Sequence, residues 1–132
     1  MKVFRAMRAD EWDGMPGTGE TGRYLGVRPN VDVPVGEDGS VEPRAGGMSG
    51  VPPPVTNLAR HRLPHELGGT GRDPVFELET GELSGELVYR LDPDSPGEHG
   101  FIEPSRRMSF EGYRRAIHGT RGLWHRLPGG VR

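Results

Sequence analysis

The sequence predicts a small α+β domain, in which several short strands precede a single C-terminal helix. Four segments have the alternating or concentrated apolar residues of strands, and a later segment repeats apolar residues at three- and four-residue spacing. Glycine and proline separate these segments, with 22 and 13 residues respectively in a chain of 132. We therefore expect residues 1–132 to form one domain with a small core and long loops.

The first predicted strand covers residues 3–7, where alternation places Val3 and Arg5 on the same face of a sheet. The later strands cover residues 75–79, 87–91 and 100–104. The first two of these are expected to pair as a hairpin through residues 80–85.

Between the first strand and the later ones, the chain has few regular patterns. Residues 24–27 form either a brief strand or a turn packed on the core, and residues 57–63 form either a short helix or a strand that ends before Pro64. Residues 28–57 contain six prolines and are predicted to be one long irregular loop. Loops of this length are usually functional or disordered.

The predicted helix covers residues 110–127, and Ser109 can cap its first turn. Gly119 and Gly122 weaken its middle, so we expect a break there. The face opposite the apolar residues is either a solvated surface or a site for phosphate or RNA. It carries Arg114, Arg115, His118 and Arg121.

Composition excludes several classes of function. The net charge of −2 argues against nucleic-acid binding by bulk charge, and only one of 17 basic residues, Lys2, is lysine. Without cysteine the chain has no disulfide, thiolate metal site or cysteine nucleophile. No apolar run suits a membrane span or a secretory signal, so we expect a soluble protein that acts in the cytoplasm, reached if necessary by a signal-free secretion route.

Two local motifs match known sites in part. Residues 17–22 satisfy the glycine pattern of dinucleotide-binding loops, but they follow Met15-Pro16 and precede no clear helix, which favours a mobile loop. His61 and His65 have metal-ligand spacing, which Pro64 interrupts. We expect no metal.

An acidic turn comes before the last predicted strand. Its residues Asp92, Asp94 and Glu98 lack the ligand order of an EF-hand, so we interpret the turn as a solvated hairpin tip.

The segment at residues 68–71, Gly-Gly-Thr-Gly, directly precedes the second strand region. Its glycines allow the backbone to approach a ligand closely while Thr70 donates a hydrogen bond. The same residues suit an ordinary tight turn equally well.

Three blocks of residues, in this order, resemble the ADP-ribosyltransferase-like toxins of the type VI secretion system. The first is the aromatic-Arg-Ala strand at residues 4–6 followed by Gly-Arg-Tyr-Leu at 22–25. The second is Gly-Gly-Thr at 68–70 leading into Val-Phe at 75–76. The third consists of His99, Ile102, Pro104 and Met108.

The resemblance implies a split β-sheet core with a cleft for NAD, which such enzymes use as a substrate. By analogy Arg5 would hold phosphate or ribose, Thr70 would steady the ribose, and His99 would bond ribose or phosphate. Glu103, with Glu98 as the alternative, would polarise a ribose hydroxyl. The residues implied to bind the cofactor are Arg5, Tyr24, Gly69, Thr70 and Phe76.

The implied function is a bacterial toxin with NAD-dependent ADP-ribosyltransferase or NAD glycohydrolase activity. Its partners would be an immunity protein and a macromolecular acceptor. Gly71 departs from the family, because it stands where the family has a second hydroxyl. The alternative is a non-catalytic relative that binds RNA or a protein through the arginine-rich face of the helix.

Overall fold

The computed structural model describes residues 1–127, and this part of the chain forms one α-helix and eight strands. The strands are β1 (Lys2–Ala6), β2 (Ser40–Val41), β3 (Met48–Gly50), β4 (Val75–Glu79), β5 (Leu87–Leu91), β6 (Gly100–Pro104), β7 (Met108–Ser109) and β8 (His125–Arg126). The helix α1 is Phe110–Gly119. All strand pairs within the sheets are antiparallel, so the predicted α+β class is confirmed.

The first sheet has the order β1-β4-β8. Val3 lies opposite Leu78 and Arg5 lies opposite Phe76, so all four side chains share one face. Val3, Leu78 and Phe76 belong to the main apolar core. Arg5 therefore lies on the face that packs against the core, as the alternation of the first strand predicts.

The second sheet has the order β3-β6-β5, and this strand pairing corrects the predicted hairpin of residues 75–79 with 87–91. β5 pairs with β6 rather than with β4. The connection at residues 92–99 closes this hairpin, because Asp92 N donates to His99 O at 2.9 Å. The connection after β4 does not form a hairpin. It contains a 3₁₀ turn at Thr80–Glu82 and leads from β4 in the first sheet to β5 in the second sheet.

The two larger sheets are linked at Phe4 of β1 and Val51, which follows β3. The two residues exchange backbone hydrogen bonds, with both N···O distances 2.9 Å. The middle of β1 thus lies beside the end of β3, which positions the cleft described below.

Residues 28–57, predicted to be irregular throughout, contribute two strands. β2 pairs with β7, and β3 pairs with β6, where Met48 lies opposite Ile102. A strand of two or three residues has no detectable alternation, so its partner rather than its own sequence determines the conformation.

The structure confirms the predicted cap and the break near Gly119, but it corrects the length of the helix. Residues 120–127, predicted to be helical, instead contain a 3₁₀ turn at Arg121–Leu123 and the strand β8. Ser109 Oγ accepts a hydrogen bond from Gly112 N at 3.0 Å, and α1 ends at Gly119. Beyond the helix, Thr120 Oγ1 donates to Ile117 O at 2.7 Å and accepts from Trp124 Nε1 at 3.0 Å. Trp124 is therefore buried without being helical.

Tyr113 fastens the helix to the second sheet. Its hydroxyl donates to Ile102 O at 2.5 Å and accepts from Met48 N at 3.1 Å. Burial raises the pKa of this phenol well above its ordinary value. The hydroxyl therefore stays neutral and satisfies two backbone groups of the adjacent strands.

Candidate functional site

A cleft of about 410 Å³ lies where the first and second sheets meet. It falls within the size range of small-molecule sites. Its charged and titratable side chains come mainly from two groups. One consists of Arg5, Arg28, Arg62 and Asp32, and the other of Asp92, Glu98 and His99 from the β5–β6 connection.

Arg5 is buried at the edge of the cleft, with 8% of its surface exposed. Its Nη1 donates to Ser49 O at 2.8 Å and its Nη2 donates to Tyr24 O at 3.0 Å. Burial, and secondarily the charge of Arg62, lower the pKa of Arg5 to about 10. The guanidinium remains charged at neutral pH, yet among residues 1–127 it forms no ion pair with a carboxylate.

Arg28 and Arg62 bring two further guanidinium groups to the cleft. Arg28 pairs with Asp32, with an Nη2···Oδ1 distance of 3.0 Å, and Arg62 Nη1 donates to Gly22 O at 2.6 Å. Sequence reasoning missed both residues, because they lie on turns whose path depends on distant hydrogen bonds. The preference for arginine over lysine in the composition was the only signal for an arginine-rich site, but it does not indicate which arginines form the site.

The β5–β6 connection is a hairpin with mostly exposed residues, as predicted, and one side of it also lines the cleft. His99 Nδ1 lies 3.0 Å from Asp92 Oδ2, and the His99 ring packs edge-on against Phe101 at a centroid distance of 4.8 Å. The backbone N–H of Asp94, followed by His99, lowers the pKa of Asp92. An ionised Asp92 only accepts, so Nδ1 carries a proton and Nε2 is the nitrogen left for a ligand.

The structure places Glu98 in the cleft and Glu103 outside it. Glu103 is 1% exposed on β6, and one carboxylate oxygen accepts from Arg90 Nε at 2.9 Å. Glu103, the candidate catalytic carboxylate, thus pairs with Arg90 inside the second sheet and does not face the cleft that contains Arg5 and His99. Glu98, the sequence-based alternative, is exposed and lines the cleft.

Gly69 and Thr70 do not line the cleft. Thr70 is exposed, and its backbone N donates to Arg60 O at 2.9 Å. A Cβ added to Gly69 would lie 2.0 Å from Leu63 O, so the close backbone approach is to the chain itself. The segment is the tight turn that its sequence also allowed, and it supports the neighbouring turn that carries Arg62.

Tyr24 and Phe76 also lie outside the lining of the cleft. The Tyr24 ring packs on Gly17 and Gly19, while its carbonyl accepts from Arg5. Phe76 is buried in the core opposite Arg5. Tyr24 thus holds Arg5 through its carbonyl and Phe76 belongs to the core, which differs from the cofactor contacts that the resemblance implies.

The glycine-rich segment 17–22 is hydrogen-bonded to its surroundings, whereas the sequence favoured a mobile loop. Gly17 N donates to Arg8 O and Leu25 N donates to Gly17 O, both at 2.8 Å. The carbonyl at the end of the segment, Gly22 O, accepts from Arg62. This segment therefore forms part of the support of the cleft.

Two of the four residues on the basic face of the helix region are engaged in ion pairs. Arg114 Nη2 lies 2.7 Å from Glu111, and Arg121 binds Asp13 through two nitrogens at 2.8 and 2.9 Å. Burial, followed by the charge of Arg114, lowers the pKa of His118. The face thus offers less free positive charge than its sequence suggests.

Comparison of the chain with protein-family models, curated proteins and solved structures gave no match. Within residues 1–127, no helix has the length and apolar character needed to cross a membrane. The same part of the chain contains no group of three or more potential metal-ligating side chains.

Proposed function

We propose that this protein is a bacterial toxin domain that uses NAD as a substrate, either as an ADP-ribosyltransferase or as an NAD glycohydrolase in the cytoplasm of a target cell. One observation carries the proposal. Arg5 and His99, two residues distant in sequence that the resemblance assigns to NAD, line the same cleft.

The other groups of the cleft suit the chemistry of that reaction. Cleavage of the bond between nicotinamide and ribose passes through an oxocarbenium-like state, which a carboxylate stabilises. Glu98 is the exposed carboxylate of the cleft, and His99 Nε2 is the neighbouring group for a ribose hydroxyl. Glu98 therefore takes the role that the resemblance gave to Glu103.

The cleft also suits a ligand with both charged and apolar parts. Val51 and Leu58 supply apolar wall, and guanidinium groups supply donors for phosphate oxygens. Water as acceptor would make the protein a glycohydrolase, and a macromolecule would make it a transferase. An immunity protein that covers the cleft would block either reaction.

Incubation of the purified protein with NAD, with and without bacterial lysate, tests the proposal. We expect release of nicotinamide, or transfer of label from adenylate-labelled NAD to a lysate component. His99→Ala should abolish the activity, whereas Glu66→Gln, an exposed glutamate outside the cleft, should leave it intact. Absence of nicotinamide release, labelling and NAD binding would exclude the enzymatic function.

The alternative, a non-catalytic protein that binds RNA or a protein through the arginine-rich face, has weaker support. The ion pairs of Arg114 and Arg121 reduce the positive charge available on that face. Toxicity in bacteria distinguishes the two. Charge reversal at Arg114 and Arg115 would abolish toxicity in the alternative only. His99→Ala, at a partly buried residue of the cleft, would abolish it only if the cleft is the active site.

A further inference from the structure

Three guanidinium groups gather around the last residue of the glycine-rich segment. Gly22 O accepts from Arg62 Nη1 at 2.6 Å and from Arg5 Nη2 at 3.4 Å. A Cβ added to Gly22 would lie 2.7 Å from Arg62 Nη2 and 4.0 Å from Arg28 Nη2. The tip of the Arg62 side chain therefore packs directly against Gly22, and a larger residue at this position would displace the guanidinium.

This cluster holds more positive charge than its own carboxylate neutralises. Arg28 pairs with Asp32, but Arg5 and Arg62 bind only backbone carbonyls and the Ser49 hydroxyl in the described part of the chain. Like charges in a partly desolvated site repel one another, and backbone dipoles compensate this only in part. The cluster is locally cationic in a chain whose net charge is −2.

The cluster also has unused donors. Arg5 Nε is buried and has no hydrogen-bond partner, and the guanidinium of Arg62 makes one hydrogen bond among residues 1–127. A guanidinium has five N–H groups in a planar fork, which matches the oxygens of a phosphate. Arg62 is only partly buried and lines the cleft, so its remaining N–H groups are accessible to a ligand there.

We propose that the cluster of Arg5, Arg28 and Arg62 around Gly22 is a binding site for a phosphate or diphosphate dianion, with Arg62 as its principal ligand. An anion with two negative charges balances the two guanidiniums that lack a carboxylate. In the context of the proposed function, on which this assignment of the natural ligand rests, the dianion is the diphosphate of NAD. The site itself requires only the phosphate chemistry.

Calorimetric titration of the purified chain with inorganic pyrophosphate, ADP-ribose and adenosine tests the site. Pyrophosphate and ADP-ribose should bind, and more weakly as salt is raised, whereas adenosine should bind far less tightly because it has no phosphate. Arg62→Gln should weaken pyrophosphate binding by about tenfold or more, since it removes a charge-assisted hydrogen bond. Arg62→Lys should recover part of the loss, because it restores the charge without the fork.

Arg60→Gln is the matched control, because Arg60 is an exposed arginine on the same turn and does not line the cleft. It removes the same charge and should leave pyrophosphate binding within about twofold of the unmodified chain, apart from weak long-range electrostatics. Circular dichroism and thermal unfolding of each variant verify that the fold is retained. Equal effects of Arg60→Gln and Arg62→Gln, or no binding of pyrophosphate at low salt, would overturn the proposal.

The experiment separates this site from the proposed function. If Arg62→Gln abolishes pyrophosphate binding but the unmodified chain never cleaves NAD, the phosphate site stands and the enzymatic function fails. If the chain cleaves NAD and Arg62→Gln changes neither pyrophosphate nor ADP-ribose affinity, the function stands and the phosphate site is refuted.

Discussion

Asp92 Oδ2 lies 3.0 Å from His99 Nδ1, and this contact determines which ring nitrogen of His99 is left for a ligand. The two residues are the ends of one connection between adjacent strands, closed by the hydrogen bond from Asp92 N to His99 O at 2.9 Å. The pKa of Asp92 is lowered, so it is ionised at neutral pH. A backbone feature, the closed hairpin, thereby fixes the orientation and tautomer of a candidate active-site side chain.

Replacing Asp92 with Asn should reduce nicotinamide release by about tenfold or more. The amide has no charge and only one acceptor oxygen, in place of the two carboxylate oxygens that now contact Asp94 N and His99 Nδ1. Nitrogen NMR of the imidazole should show the Nδ1-protonated tautomer in the unmodified chain and a mixture in the variant. Asp94→Asn, a neighbouring change outside the cleft, provides the control. An unchanged tautomer in Asp92→Asn would contradict the positioning role.

Replacement of the two glutamates considered for catalysis should have different effects: replacement of Glu98 should lower activity, and replacement of Glu103 should lower stability. Glu98→Gln should lower the rate of nicotinamide release by on the order of 10²-fold without altering the melting temperature, since Glu98 is exposed in the cleft. Glu103→Gln should lower the melting temperature, because it weakens a buried pair with Arg90. Loss of turnover in Glu103→Gln at a temperature where this variant is fully folded would indicate that Glu103, rather than Glu98, is the catalytic carboxylate.

Tyr113→Phe should reduce the free energy of unfolding by about 1–3 kcal/mol, because Met48 N and Ile102 O would remain buried without their partner. Urea titration measures the change. Tyr89→Phe is the matched control. The Tyr89 hydroxyl bonds one carbonyl, Gly50 O at 2.9 Å, and its residue is less buried, so the loss should be smaller.

The pair of Arg23 and Asp73 should make stability depend on acid pH. Arg23 binds the carboxylate through Nε at 2.9 Å and Nη2 at 2.7 Å, and this hydrogen bonding lowers the pKa of Asp73 from 3.8. The contribution is complete above the unfolded pKa of 3.8 and disappears as pH falls through the lower pKa of the folded state.

Melting temperatures from pH 7 to pH 2 of the unmodified chain and Asp73→Asn provide the measurement. The unmodified chain should be more stable at neutral pH, and the difference should shrink below about pH 4. A difference that grows on acidification would contradict the ion pair. Asp94→Asn removes one negative charge from a carboxylate that forms no ion pair within residues 1–127, and it is the control for the loss of charge alone.

The alternating strands and the capped helix could be predicted because their signals are local. Val3 and Arg5 share a face whatever the strand pairs with, and Ser109 caps the next turn without help from the rest of the chain. The pairing of β5 with β6, and the two-residue strand β2, depend on partners distant in sequence. Local pattern therefore predicted which residues are strands better than it predicted which strands are neighbours.

The candidate site could be predicted only in part. Arg5 and His99 were selected from the resemblance and lie in the cleft. The positions of Arg62 and Asp92 in the cleft depend on how two turns fold, which the sequence does not show. The resemblance selected Glu103, yet the sequence of its strand does not reveal that Arg90 lies beside it and binds its carboxylate. Thr70 was misplaced for a related reason, because a glycine-rich turn looks the same whether it approaches a ligand or its own backbone.

The backbone link between Phe4 and Val51 gives the cleft a mechanical consequence. Residues from both sheets line the cleft next to this link, so a molecule bound there connects the two sheets through its own contacts. Such a molecule acts as an additional, reversible cross-link, and the amide protons of Phe4 and Val51 should exchange more slowly with deuterium when it is present. Binding in the cleft and the cooperative unfolding of the two sheets are then coupled, so any ligand of the cleft would change both.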